Sequence, residues 1–325
     1  MYKFDRDLAD SDDRRPFDAL LLFAVFMLVS FLLANFLGMG LALPFFEGDV
    51  ELMQKVLANP LDYPEYSGSI SVLQGIISSL AFIAFPLIFL RFIERKGFHH
   101  LQGHNIHPQP LIIAGLTLLV MFFSAPVNSV LIEWNSQLSL PDSLSGVEKS
   151  LRSLEDNAGE MTKSITTFYS WKHLILGLII IGVIPAIGEE LVFRGLLQNI
   201  MLRITKNPHV AILLSAVIFS AIHMQFFGFV PRVFLGALLG YMYFWSRNIW
   251  VSIWGHFINN GGTVLLMYLY QKGIINYDVS TEDQFPWISV IINAALFAGC
   301  LYLFRRLNRS NTEPRVFGSN LEENI

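Results

Sequence analysis

Cys300 is the only cysteine in the 325-residue chain. A single thiol excludes an intrachain disulfide framework and a cysteine-based metal site, and it leaves redox chemistry without its usual residue. Charge is scarce as well. Asp, Glu, Lys and Arg make up 15% of the chain, the net charge is −4, and no long basic run occurs, so nothing in the charge pattern offers a footprint for nucleic acid. No internal repeat is visible, and no segment reads as a separate soluble domain. The first apolar run, about 30 residues, is too long for a signal-peptide core and lacks a small-residue cleavage pattern, so it is expected to remain as a membrane segment.

Apolar side chains are abundant: 53% of residues are hydrophobic, 28 are Phe, and mean hydropathy is +0.50. A soluble domain of this size does not carry such a balance. Runs of about 20 apolar residues, enough for one bilayer crossing, lie near 17–46, 69–93, 110–132, 174–200, 209–226, 227–245, 249–271 and 286–304. The expected architecture is all-α: a polytopic integral membrane bundle of about eight transmembrane helices. Every second boundary is basic: Lys3, Arg6, Arg14 and Arg15; Arg91, Arg95 and Lys96; Arg203 and Lys206; Arg247; Arg305, Arg306 and Arg309. Intervening loops are acidic, with Glu47, Asp49, Glu51, Asp62 and Glu65, or Asp278, Glu282 and Asp283. Cytoplasmic loops are enriched in Lys and Arg, so both termini are expected in the cytoplasm.

The organisation follows: a cytoplasmic tail 1–16, three membrane helices over 17–133, an extramembrane loop 134–170, a helical core 171–272, a last span 286–306, and a disordered cytoplasmic tail 307–325. In the loop, Val147, Leu151, Leu154, Ala158, Met161, Ile165 and Phe168 recur at steps of three and four, which predicts an amphipathic helix lying on the membrane surface or capping the bundle.

Two adjacent carboxylates and an arginine interrupt the fourth span, in Gly188-Glu189-Glu190-Leu191-Val192-Phe193-Arg194. Ionised groups in hydrocarbon cost several kcal/mol on insertion scales, of order 3 for one at a helix centre, and persist where they pair, line a wet cavity or do chemistry. Residues four apart share a helix face while neighbours diverge, so Glu190 and Arg194 form a natural ion pair and Glu189 is left free as a base or ligand. Pro185 removes a backbone hydrogen bond, and Gly188 permits close approach. The next spans carry His223, then His256 and Asn260, again four apart. These groups suit a hydrolase in which a glutamate and a histidine activate water while a His/Asn pair stabilises an oxyanion. They equally suit a zinc site using Glu189, His223 and His256, with one position left for water. A buried ion pair that only fixes packing, and a proton relay in a proton-coupled transporter, are further readings; the transporter lacks the repeated halves that carriers show.

In order, Glu189-Glu190-x-x-x-Arg194, Phe219-x-x-x-His223 and His256-x-x-x-Asn260 resemble the three signature motifs of the CPBP family, which includes CAAX prenyl endopeptidases of the Rce1 type and bacteriocin-processing or self-immunity (Abi) membrane proteins. The resemblance covers roughly 171–270. It implies an intramembrane endopeptidase in which Glu189 activates water with His223, His256 and Asn260 form the oxyanion site, and Glu190 with Arg194 supports it. It implies a peptide or protein substrate, lipidated or membrane-embedded, a lipid surround, and a prokaryotic cytoplasmic membrane. The family is labelled both metalloprotease, with Zn as the metal, and metal-free glutamate protease; a non-catalytic immunity or scaffold protein of the same fold is its other branch.

Four lesser features complete the expectations. The loop histidines His99, His100, His104 and His107 form a tract that either binds metal or is a solvated turn. Arg232 reads as an interfacial anchor or a grip for a substrate carboxylate. Trp245, Trp250 and Trp254 read as an interfacial belt or a lipid groove. Depths counted at 1.5 Å per residue from the basic ends scatter between His223 and His256; an opening toward the basic, cytoplasmic side is expected because His256 and Asn260 lie nearer to it.

Overall fold

The computed structural model describes residues 16–101, 109–277 and 285–308. The predicted tails, apart from their first or last one or two residues, the loop residues 278–284, His104, His107 and the side chain of His99 lie outside the described residues. The main helices are α1 (Pro16–Ala42), α2 (Val50–Ala58), α3 (Pro64–Ile93), α4 (Pro110–Ser136), α5 (Ser145–Ile165), α6 (Trp171–Thr205), α7 (Pro208–Ala221), α8 (Phe229–Ser246), α9 (Ile249–Gln271) and α10 (Trp287–Leu307). Asp49, Asn207 and Asn248 cap α2, α7 and α9 by accepting from first-turn backbone N–H groups, as residues of this kind do at helix starts.

The fold is the all-α membrane bundle expected from composition. Among the described residues, six helices are long and apolar enough to cross a bilayer: α1, α3, α4, α6, α8 with its preceding turn, and α10. The expected spans at 209–226 and 249–271 are helices of a different kind. Helix α7 stops at Ala221, and 14 residues at 1.5 Å each make about 21 Å, short of the ~30 Å of hydrocarbon. Helix α9 has the length but carries Ser252, His256, Asn259 and Asn260. Its first residue packs at the level of Gly195, where the Ile249 side chain would meet an added Cβ at 3.4 Å. The α6–α7 hairpin therefore extends about ten residues, roughly 15 Å, beyond the start of α9 at the basic end. Measured from that common level, the depths of His256 and Glu189 agree.

Helix α6 is the axis. Leu191, Val192, Phe193, Leu196, Leu197 and Ile200 are all buried and form one apolar cluster with Phe89, Leu101, Phe219, Tyr243, Ile249 and Ile253 from the surrounding helices. Wide π-helical turns interrupt it at Leu178–Val183 and Leu191–Leu197, flanking the glutamates, and α3 has its own at Ser79–Ala84 and Phe89–Ile93. Such turns are rare and cluster at functional sites. Small residues set the spacing: an added Cβ at Gly188 would lie 2.6 Å from the Phe82 Cβ and 3.2 Å from its backbone, and one at Gly236 would lie 3.2 Å from the Ala216 Cα.

Helix α5 realises the amphipathic prediction. Met161 and Ile165 pack against the cluster formed by α2 and α3, whereas Val147 and Leu154 are exposed. Its entry is held by Glu148, which accepts from the Leu140 N–H at 2.7 Å and from Arg152; these donors hold the carboxyl below its usual range. Its exit is held by Gln271, which donates to Thr166 O and accepts from Phe168 N. A buried ion pair unseen in the sequence, Glu94 with Arg203 at 3.3 Å and Lys96 at 3.5 Å, ties α3 to the basic end of α6.

Gly188→Ala is expected to destabilise by about 1–3 kcal/mol, because the added methyl overpacks a contact that includes backbone. Thermal unfolding of the purified protein in detergent reads this; an unchanged midpoint would contradict the α3–α6 packing.

Candidate active site

Each side chain of the cluster is aimed by a local backbone cause. Helix α7 ends at Ala221, and the His223 N–H turns to Ser220 O, so the Phe219 carbonyl loses its usual donor four residues on. The His223 ring supplies one: Nδ1 lies 2.8 Å from Phe219 O. A carbonyl can only accept, so Nδ1 carries the proton and Nε2 presents its lone pair. Met224, in a left-handed conformation, then turns the chain toward α8. This is why the fifth expected span ends at Ala221 rather than 226.

Pro185 has a similar effect on α6. It has no N–H to offer Ile181 O, four residues before it, and the Asn260 amide donates there at 3.1 Å. The second N–H of that amide points to His256 Nε2 at 3.2 Å, and Asn259 donates to Asn260 Oδ1 at 3.0 Å. The carboxamide is thus held from three sides.

Glu190 and Arg194 form the expected pair. Arg194 Nη1 donates to Glu190 Oε1 at 2.6 Å, Nη2 donates to Gly236 O at 2.8 Å, and the guanidinium lies 5.1 Å from the centre of the Phe219 ring. Both are buried, at 0% and 1% exposed. The sequence missed a third member: His256 Nδ1 lies 2.8 Å from the same Glu190 oxygen, so Glu190 holds the imidazole with Nδ1 protonated. The other nitrogen of His256, Nε2, lies 3.7 Å from Glu189 Oε2. Glu189, the more exposed of the two glutamates, also acts electrostatically on His223, as do His256 and Arg232. Phe219 stands between the imidazoles, 5.1 Å from the His223 ring and 6.2 Å from that of His256, edge-on to both.

All six predicted residues are therefore linked, directly or through Phe219, into one cluster where α6, α7 and α9 meet. Among the described residues, no group of three His, Cys, Asp or Glu side chains is arranged to hold a metal ion. The conditional zinc set of Glu189, His223 and His256 does not fit this arrangement, because both nitrogens of His256 are engaged by Glu190 and Asn260.

The turn that carries His223 follows the end of α7, away from the basic end, and lies under α5. Glu155 of α5 accepts from Phe227 N at 3.0 Å, and Arg152 lies 4.0 Å from the Phe227 ring centre. Buried Asn135 at the end of α4 clamps the same turn, donating to Phe226 O at 3.0 Å and accepting from Val230 N at 2.7 Å. Arg232, read as an anchor or carboxylate grip, folds back on the turn and donates to both the carbonyl and the side chain of Gln225. Asn135 and Glu155 carried no motif signal; only a polar residue at the edge of an apolar run marked the first. His100 is exposed and turned onto Gly97 O, and Cys300 packs among the apolar residues of α10 and its neighbours.

Over 104 residues the chain is 31% identical to a protein of Bacillus subtilis (strain 168) named only as uncharacterized protein YpbD; the match takes in 31% of this chain and 48% of that one, so the chain spans about half the length of this curated relative. No solved structure matches the chain. Residues 171–262 match the family model for type II CAAX prenyl endopeptidase Rce1-like proteins, and Glu189, Glu190, Arg194, His223, His256 and Asn260 all fall inside that stretch. Built around this cluster, the segment 171–262 of the chain is a domain of the Rce1-like family.

Proposed function

We propose that the chain is an intramembrane endopeptidase that hydrolyses a peptide bond with a water activated by Glu189 and His223. The observation that carries this reading is the division of labour between adjacent glutamates: Glu190 is buried and its Oε1 is taken by Arg194 and His256, while Glu189 lies beside His256 and retains some exposure. A carboxylate between two nitrogen acceptors or donors is placed to take a proton from water.

The steps balance as follows. Glu189 removes a proton from water, with the His223 Nε2 lone pair accepting the second O–H and so orienting it. The hydroxide oxygen bonds to the scissile carbonyl carbon, and the carbonyl π electrons move to oxygen. His256 and Asn260 face that oxygen: the Asn260 N–H that points to His256 Nε2 turns to it as negative charge develops there, while Glu190 keeps the imidazole in place through Nδ1–H. The proton on Glu189 passes to the leaving nitrogen as the C–N bond breaks, and the second water proton, left on the new carboxyl group, follows it through Glu189, giving a carboxylate and an ammonium product. Arg194 holds the charge of Glu190, which orients His256. No step is routed through zinc. The substrate is a peptide or protein segment, lipidated or membrane-embedded, since apolar helices surround the site and a water-soluble substrate would find no polar path along them.

Glu189→Gln, isosteric but without a basic carboxylate, is expected to lower cleavage of a membrane-associated peptide by about 10²–10⁴-fold, the usual contribution of a positioned base, at unchanged thermal midpoint. Equal cleavage by parent and variant overturns the assignment, and absence of cleavage by the parent across CAAX-type and transmembrane peptides supports a non-catalytic member instead. Chelator treatment is expected to leave activity in place; loss restored by added Zn²⁺ overturns the metal-free route. Arg194→Met strands the Glu190 charge and is expected to cost about 3–5 kcal/mol of stability, the range for breaking a buried pair, whereas the double change Glu190→Gln with Arg194→Met is expected to recover part of it. A single-variant midpoint equal to the parent's would contradict the pairing.

A further inference from the structure

At the basic end, away from the site, a cavity of about 160 Å³ lies between the first turns of α4 and α9, the end of α8 and the end of α10. This is below the roughly 300–1,000 Å³ of pockets that enclose a small molecule, and suits a chain segment or a headgroup. One side is apolar: Ile113, Val251 and the half-exposed rings of Trp250 and Trp254. Trp254 is fixed by its Nε1–H, which donates to Ala114 O at 3.2 Å, and by stacking on Phe257. The other side is polar: Ser246, Asn248 and Asn308. Asn308 is 1% exposed and donates from Nδ2 to Phe304 O, while its Oδ1 has no hydrogen-bond donor among the described residues. A buried amide oxygen without a donor is costly, about 1–3 kcal/mol, and marks a place where a partner is expected.

Cationic side chains gather at this corner. Arg247 follows Ser246 directly and stacks on Phe244, Arg305 lies over Trp245, and Arg306 is exposed beside it. Basic pockets between membrane helices with an aromatic rim bind phospholipid headgroups.

We propose that this groove binds an anionic glycerophospholipid with a hydroxylated headgroup. The acyl chain runs along Ile113, Val251, Trp250 and Trp254. The phosphate faces the exposed Arg305 and Arg306, and a headgroup hydroxyl donates to Asn308 Oδ1. The groove shares α9 with the site but none of the six catalytic candidates, so the proposal stands independently of the proteolytic reading.

The test uses the full chain, purified and delipidated in detergent, titrated with dioleoyl phosphatidylglycerol and read by native mass spectrometry. One lipid is expected to be retained by the parent. Ala114→Trp, which fills the groove, and Asn308→Leu, which removes the acceptor, are each expected to weaken retention by about tenfold, equivalent to the 1.4 kcal/mol of one decade in affinity. Leu296→Trp, on an exposed face of α10, is expected to leave it unchanged. Equal retention by the parent and both groove variants would falsify the site. Phosphatidylcholine held as tightly as phosphatidylglycerol would overturn the headgroup assignment. If Ala114→Trp does not fold, Asn308→Leu and Trp254→Leu carry the comparison.

Discussion

A single carboxylate oxygen, Glu190 Oε1, holds the functional half of this protein together, because it accepts both from Arg194 and from His256. Taken alone, the ion pair is weak evidence for stability: desolvating two charges offsets much of their attraction. Its consequence is conformational. Arg194 reaches Gly236 on α8, Glu190 reaches His256 on α9, and Phe219 of α7 packs its ring near the guanidinium. Four helices are thus held in register by groups that have no alternative partners in an apolar interior, where an unmet charge or donor costs far more than in water. The chain tolerates the expense because the imidazole of His256 is thereby fixed in tautomer and direction.

The two glutamates differ although they are neighbours, and the reason is the helix itself. Successive side chains diverge by about 100°, so only one of the pair can face Arg194 four residues later. Glu189 is rotated toward His256 Nε2 and His223 instead. Two carboxylates of equal intrinsic acidity become a held charge and an available one through geometry alone, the general way in which one chemical group is put to two uses in a single site.

Much of this was legible in the sequence. Apolar runs long enough to span gave the bundle, the step of three and four gave α5, and the spacing of Glu190 and Arg194 gave their pair, because each depends on local periodicity. Six of the eight expected spans are long and apolar enough among the described residues, and periodicity says least about the others. Helix α7 is apolar throughout yet too short, and its continuation past Ala221 reads as apolar because Ile222, Met224, Phe226 and Phe227 fill the turn. The second partner of Glu190, the Asn135 and Glu155 clamps on that turn, and the Glu94–Arg203 pair join residues 66 to 109 positions apart. No one-dimensional pattern marks such pairings. The depths of His223 and His256 scattered for a related reason: depth was counted from each helix's own basic end, and the α6–α7 hairpin does not begin where α9 does.

The backbone supplies what the side chains need, by withholding its own donors. Pro185 deprives Ile181 O of one, and Asn260 takes the place; the end of α7 deprives Phe219 O, and the His223 ring takes it; in the wide turn after Glu190, Asn199 donates to Gly195 O at 2.8 Å. Buried carbonyls are seldom left unpaired, so each freed acceptor fixes a side chain as firmly as a second side chain would, without adding another titratable group to an apolar interior. Irregular helix is tolerated at membrane depth only where the released groups are met within the protein. The π turns and the proline in α6 are therefore part of the site: straighten the helix, and Asn260 loses the partner that determines which atoms it presents.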